Sequence, residues 1–410
     1  MQYINLSDDV EKQCVVDREE GTYLGHPTTA LLEDDKTIYT VYPKGHGIGQ
    51  LVLKRSEDAG ITWSERLPVP ESFSTSLECP AIFRLKDKDG VSRLFIFGGG
   101  QCPFRRAVST DNGKTWSELE PIGDFGGFFF STMVETGTGE YLALFHDEGA
   151  FIHGGITQKA EIYRAGEEEK DYRTRCLRRH RAAEGEKWSE VTGYPIEAPE
   201  KPGDAWRKIY ETVYGSNFPD GHYEIYQTRS RDGGLTWSRP ERICATEEPS
   251  RLCEPCMVPS PDGKQIAVLL RENYRRSQSM FSTTDDKGKN WKPVQELNGM
   301  LTGDRHCAKY LKDGRLFISF RDMNRQSPYY GSWVAWIGTY EDLVSGREGD
   351  CKLLLKKSYA EDCAYPGVEV LKDGTVVTVT YGNWEKDAPN YVLCVRISDA
   401  ELKTYGKTPV

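Results

Sequence analysis

Six stretches of the chain repeat one pattern, a short polar turn followed by a run of alternating or continuous apolar residues. They lie at 32–42, 85–97, 135–146, 259–271, 311–321 and 371–381. Short runs rich in Val, Ile, Leu, Phe and Tyr, bounded by turn residues, predict strands that pack on both faces. A second pattern is interleaved with the first. Ser-x-Asp-x-Gly-x-Thr-Trp occurs in full at 56–63, 109–116 and 230–237, with a weaker copy at 284–291. Such self-similarity marks a repeat architecture. The motif describes a tight hairpin: Ser and Asp side chains satisfy turn backbone, Gly takes a positive φ, and Trp tucks between neighbouring sheets. Its Asp residues are therefore expected to be structural.

In the first, second and fourth units the Trp hairpin follows soon after the apolar strand. The third unit breaks this order, because Trp237 comes long after His146. The chain is therefore expected to carry an insertion at 148–220. Within it, 160–188 is dense in Glu, Lys and Arg and predicts helix. Six radial sheets of about 50 residues each make an all-β, six-bladed β-propeller. The expectation is a single domain over residues 1–410, with a partly helical insertion in the third blade. Little strand sequence remains after 391–397, so Gln13–Asp17 is expected to supply the outer strand of the sixth blade.

Composition narrows the function. The 410 residues hold 40 Gly, 21 Pro, 22 Tyr, 15 Phe and 9 Trp, which suits strands and turns and excludes a coiled coil or a disordered tail. The net charge of −10 opposes a nucleic-acid partner. No apolar run approaches the roughly 20 residues of a membrane-spanning helix, and residues 1–14 are too polar for a secretory core. Eleven Cys without a framework spacing suit a reducing compartment, so a cytoplasmic location is expected, or a secreted or periplasmic one where a leader is cleaved. Cys253 and Cys256 form a lone CxxC, read as a buried apolar pair. No cofactor and no metal are called for.

Register assigns candidate chemistry. In a propeller the innermost strand starts at one mouth of the central channel and the next strand returns there. Counting eight residues upstream of each turn Asp or its equivalent gives His26, Phe130, Glu254, Arg305 and Tyr365, with Glu78 or Cys79 in the second unit. Downstream, the matching positions are Tyr42, His146, Arg271, Arg321 and Tyr381. Ionisable groups gathered at a channel mouth are costly unless paired, and their clustering points to an anionic small ligand. Among the histidines, His26, His46, His146 and His306 suit substrate contact, structural hydrogen bonding or proton transfer.

At these residues the sequence resembles the sialidase (neuraminidase) superfamily, over nearly the whole chain outside the insertion. The hairpins are similar to that superfamily's Asp boxes. Glu254-Pro255, with Asp262-Gly263 and Arg271, resembles the segment carrying the catalytic Glu and one carboxylate-binding Arg. The stretch Ala364-Tyr365-Pro366-Gly367-Val368-Glu369 resembles the one holding the nucleophilic Tyr. The resemblance implies an exo-acting, retaining glycoside hydrolase that cleaves a terminal acidic sugar from a glycan. Tyr365 would be the nucleophile and Glu254 its base. A neutral Tyr suits an anomeric carbon that carries a carboxylate.

Two departures stand out. His26-Pro27-Thr28 replaces the family's Arg motif, and 42–50 contains no Asp. His46 is the nearest proton donor there, and an unperturbed imidazole pKa of about 6.5 suits that work. Arg271 and Arg321 are the expected carboxylate anchors, and Arg305, His26, His306, Glu78 and His146 the further substrate contacts. A hydrolase or lyase for a uronic acid glycoside and a non-catalytic glycan-binding propeller are the alternatives. In each case the partner is an acidic-sugar glycan.

Overall fold

The computed structural model describes the chain except residues 48, 77–78, 100–102, 124, 148–151, 153–156, 165–171, 183–184, 197–222, 247–249 and 407–410, and at 157–164, 172–182 and 185–196 it describes the strand path alone. Six antiparallel sheets form the blades of a β-propeller. Their inner strands are Thr28–Leu31, Ala81–Lys86, Thr132–Gly137, Leu252–Pro259, Gly303–Tyr310 and Gly367–Val370. The second strands, such as Ile38–Pro43 and Val376–Gly382, are buried along their whole length, as their continuous apolar character requires.

The ring closes through the N-terminal segment. Gln13–Asp17 pairs antiparallel with Tyr391–Ile397 as the outer strand of the sixth blade, as its sequence position predicts. Ahead of it, Gln2–Asn5 adds a fifth, parallel strand to Cys351–Lys356 of the fifth blade. The sequence pattern gave no sign of that strand.

The Asp-box hairpins join the blades. In each, the Asp accepts a hydroxyl and backbone N–H groups of its own turn, as Asp111 does from Ser109, Thr115 Oγ1 and Thr115 N. Gly60, Gly113, Gly234 and Gly288 have φ between +81° and +91°. A Cβ on each would strike a side chain of the preceding blade: Val377, Tyr39, Leu85 and Leu142 respectively, at 2.4 to 2.7 Å. The glycines are thus fixed by turn shape and by close approach together. Trp63, Trp116, Trp237 and Trp291 pack against the apolar clusters between blades.

One expectation is corrected. Within 148–220 the described elements are strands, Thr157–Arg164, Tyr172–Ala182 and Gly185–Ile196, which form a separate three-stranded antiparallel sheet. The charged residues favour helix, but Tyr, Thr, Val, Ile and Trp interleaved with them carry strand propensity, and helix propensity is a weak prior. Around it, Glu140–Asp147 and Glu224–Ser230 remain neighbours in the third blade. Among the described residues no helix is long and apolar enough to cross a membrane.

The hairpin glycines supply a direct check. Gly113→Ala should destabilise the protein by about 1–3 kcal/mol, since the new methyl both meets the Tyr39 ring and sits at a positive φ. Urea unfolding measures it, and a change within error would show that the hairpin does not hold the blades.

Candidate active site

The inner strands of the fourth and fifth blades are bulged next to the channel mouth, between Cys253 and Cys256 and between Asp304 and Cys307. Glu254 (φ 50°) and Arg305 (φ 52°) sit in these bulges, while His26 (φ 61°) and Ala364 (φ 60°) occupy the left-handed region just ahead of the inner strands of the first and sixth blades. A non-glycine residue held there costs about 1–3 kcal/mol and persists only where its surroundings force it. The bulge redirects the side chain, as bulges beside functional sites do.

A cavity of about 340 Å³ opens at this mouth. His26 and His46 from the first blade, His146 from the third, Glu254 and Arg271 from the fourth and Tyr365 from the approach to the sixth all line it. Phe128, Phe129 and Tyr223 make an aromatic wall. Tyr365 donates its hydroxyl to Glu254 Oε1. Arg271 Nη1 donates to the same oxygen at 2.8 Å and to Tyr365 Oη at 3.0 Å. Burial, reinforced by the Glu254 charge and opposed by Arg271 and Arg321, pushes the Tyr365 hydroxyl well above its ordinary 10. Glu254 Oε2 is buried without a hydrogen-bond partner.

Asp304, which the sequence reading passed over, is the hub beneath these groups. Fully buried, it lies 3.1 Å from Arg271 Nε and accepts from Arg275 Nη2 at 2.5 and 2.7 Å. Arg321 donates to its Oδ2 through Nε at 2.9 Å and Nη2 at 2.5 Å. Burial alone would raise this carboxyl, but Arg271, Arg321 and Arg275 outweigh it and hold the group well below the usual carboxylate range. Arg321's third nitrogen donates to the Glu361 carbonyl at 2.6 Å. Each nitrogen of Arg321 thus carries one bond, while two of its five N–H groups carry none among the described residues, and Arg321 itself does not line the cavity. Arg271 Nη2 carries no hydrogen bond among the described residues, so Arg271 keeps one open edge.

Asp362 is the second group that the sequence reading missed. It accepts from Tyr23 at 2.7 Å and from Tyr381 at 2.8 Å, and His46 Nδ1 is 3.5 Å away. Tyr23 Oη is also 2.9 Å from His46 Nδ1, and Tyr381 Oη is 3.2 Å from His26 Nε2. His26 meets the Tyr365 ring edge-on at 4.6 Å. Tyr381 stood at a counted register position, whereas nothing in the sequence pattern marked Tyr23.

The other expected contacts divide. His146 stacks on Phe128 at 4.7 Å and accepts the Glu254 backbone N–H at 3.5 Å; burial, then Arg271 and Arg305, bring its pKa down to about 3. It is a neutral acceptor. Arg305 and His306, expected as substrate contacts, line not this cavity but a second one along the channel. Arg305 donates to the Ser131 carbonyl at 2.7 Å and lies over the Phe129 ring, while His306 bonds the Leu301 carbonyl at 2.8 Å. Each finds its partner within the channel, where a second cavity of about 320 Å³ continues along the inner strands. Glu78 lies outside the described residues. Cys253 and Cys256 are buried, and burial pushes the Cys256 thiol up to about 12, so it stays protonated. Among the described residues no cluster of His, Cys, Asp or Glu is arranged to hold a metal ion.

Comparison with known proteins agrees with this architecture. The chain is similar in structure to a Dyadobacter fermentans protein of unknown function, with 16% identity, a TM-score of 0.58, and coverage of 94% of this chain and 98% of that one. It is also similar to a Hadza microbial sialidase, with 13% identity, a TM-score of 0.51, and coverage of 93% of this chain and 66% of that one. No curated protein sequence matches it. A model of the BNR repeat-like domain matches residues 71–378. With that match spanning most of the propeller, the chain belongs to the BNR repeat-like domain family, as a divergent member built on the fold of the sialidases.

Proposed function

We propose that the protein is an exo-acting, retaining glycoside hydrolase that removes a terminal acidic sugar from a glycan. The carrying observation is the hydrogen bond from Tyr365 to Glu254 in the wall of a cavity, with Arg271 bonded to both. As Tyr365 Oη attacks the anomeric carbon, its proton passes to Glu254 Oε1. Arg271 Nη1 stabilises the charge that develops on Oη. The bond from the anomeric carbon to the glycosidic oxygen breaks with its electron pair going to that oxygen, which takes the Nε2 proton of His46 in its doubly protonated form, leaving the ring neutral. In the second half, water loses a proton to His46 and attacks the anomeric carbon. Tyr365 then leaves and recovers its proton from Glu254.

Arg271, Arg275 and Arg321 face Asp304 and Glu254, with Asp362 4.0 Å from Arg321, so three guanidiniums meet three carboxylates and the support for an anionic sugar lies in the unbonded edge of Arg271. The open edge of Arg271 is the nearest anchor for a substrate carboxylate, and the Phe128, Phe129 and Tyr223 wall suits the apolar face of a sugar ring. A second reading, elimination from a uronic acid glycoside, draws on the buried His26 ring beside Tyr365, a base already held neutral by its burial.

Tyr365→Phe should lower release of a reporter group from an acidic-sugar glycoside by about a thousandfold or more, with the fold unchanged by circular dichroism. Full turnover by this variant would remove Tyr365 from the chemistry, and an unsaturated sugar among the wild-type products would favour elimination.

Asp304→Ala should cost about 3–5 kcal/mol of stability, because it leaves three partly buried guanidiniums facing one another. Since the folded Asp304 carboxyl sits below its unfolded value of about 3.9, its stabilisation is complete above that pH and is lost as pH falls below it. Urea unfolding from pH 7 down to pH 3 should therefore show the difference between wild type and variant shrinking only at the acid end.

A further inference from the structure

Asp362 and its two tyrosines fix where the protons of two histidines lie. A phenol has one proton to give, and an ionised carboxylate can only accept. Asp362 is held ionised: burial opposes its charge, but hydrogen bonds from His46, Tyr23 and Tyr381 prevail and keep it well below the usual range. Tyr23 therefore spends its proton on Asp362 Oδ2 at 2.7 Å and Tyr381 spends its own on Oδ1 at 2.8 Å, the charged acceptor being the stronger one. Each phenol oxygen can then only accept from its histidine. His46 must donate through Nδ1, 2.9 Å from Tyr23 Oη, and His26 through Nε2, 3.2 Å from Tyr381 Oη.

Two parallel chains follow, one from His46 through Tyr23 and one from His26 through Tyr381, both ending on one carboxylate. They leave opposite ring nitrogens bare: Nε2 of His46 and Nδ1 of His26. The latter is indeed buried without a partner. The two rings meet edge-on at 4.7 Å but differ in exposure, since the His46 side chain is 59% accessible whereas His26 is 3% accessible. Burial, aided by His46, Arg321 and Arg305 and opposed by Asp362, holds His26 well below 6.5. Of the pair, only His46 is open to exchange a proton with a ligand. The titratable and charged groups facing it are Tyr23, His26 and Asp362, with Arg321 4.0 Å beyond Asp362.

We propose that Asp362 is a positioning residue which, through Tyr23, holds the His46 proton on Nδ1, so that Nε2 faces the glycosidic oxygen, gives it the second proton of the imidazolium form and is left as the bare base for water, while through Tyr381 it locks His26 in the opposite, neutral form. The inference rests on the hydrolase reading for its consequence in turnover, but the tautomers are readable without any substrate. They put a carboxylate from the sixth blade behind the proton donor of the first, where residues 42–50 supply none.

Nitrogen-15 NMR of the histidine rings in the full chain is the test. Neutral His46 should carry its proton on Nδ1, and His26 should carry it on Nε2 without titrating between pH 5 and 8. Asp362→Asn and Tyr23→Phe should each abolish the His46 preference, and Tyr381→Phe that of His26 alone. In turnover, Asp362→Asn should lower kcat about 100-fold on a glycoside with a poor leaving group, leave KM nearly unchanged, and act weakly on an aryl glycoside whose leaving group needs no proton. A proton on Nε2 of neutral wild-type His46, or equal losses on both glycosides, would overturn the proposal. A wild-type protein without turnover would sink the hydrolase reading, with the ring shifts still deciding for or against the proton chains.

Discussion

Asp304 is the group around which the channel mouth is organised. It has no exposure and lies in contact with Arg271, Arg275 and Arg321, which come from two blades. Moving such charges out of water costs several kcal/mol each, and only close mutual pairing offsets that cost. Each arginine is consequently held by more than one bond. Arg271 reaches on to Glu254 and Tyr365, and Arg321 to the Glu361 carbonyl just before Asp362. Through these bonds one buried carboxylate sets the places of groups on the fourth, fifth and sixth blades. The arginines are shaped before any ligand arrives, which is the condition under which electrostatic stabilisation acts without reorganisation.

The repeats and the site divide the chain between them. At the Asp boxes every local preference agrees: the turn needs a positive φ, the adjacent blade leaves no room for a Cβ, and Gly is present at all four positions. At the mouth, local preference is overruled, since His26, Glu254, Arg305 and Ala364 hold backbone angles that glycine would adopt more readily. Local rules that fail in register in three blades, and one residue earlier in the sixth, are the mark of a site rather than of poor packing. Tyr365 follows Ala364 directly, so strain at the small residue aims the large one.

The six turn-and-apolar-strand repeats made the six blades readable, and the lack of strand sequence after 391–397 their closure by Gln13–Asp17, because propeller geometry repeats and its hydrophobic period is strict. The same register brought Glu254, Arg271, Tyr365, His26 and His146 to one cavity. Asp304, Asp362 and Tyr23 escaped it, for they stand off the counted positions and act through partners distant in sequence. Tyr23 and Asp362, for instance, are 339 residues apart. Arg305 and His306 show the opposite failure. Arg305 was placed by register and His306 only by its chemistry, and the Ser131 and Leu301 carbonyls partner them inside the channel. The insertion misled for a third reason, since helix propensity counts charges one by one while a strand is stabilised by its pairing with neighbours.

Glu254 ties these strands of argument together. One of its oxygens takes both the Tyr365 hydroxyl and an Arg271 nitrogen, and the other is buried with no partner. An unpaired buried carboxylate oxygen is costly, and such an arrangement persists when something else enters the site to complete it. His26 Nδ1 is orphaned in the same way a few ångströms from the Tyr365 ring, while Arg271 Nη2 is left without an acceptor. Among the described residues Glu254 Oε2, His26 Nδ1 and Arg271 Nη2 carry no hydrogen bond, and under the hydrolase reading a ligand with hydroxyl groups and a carboxylate would satisfy all three.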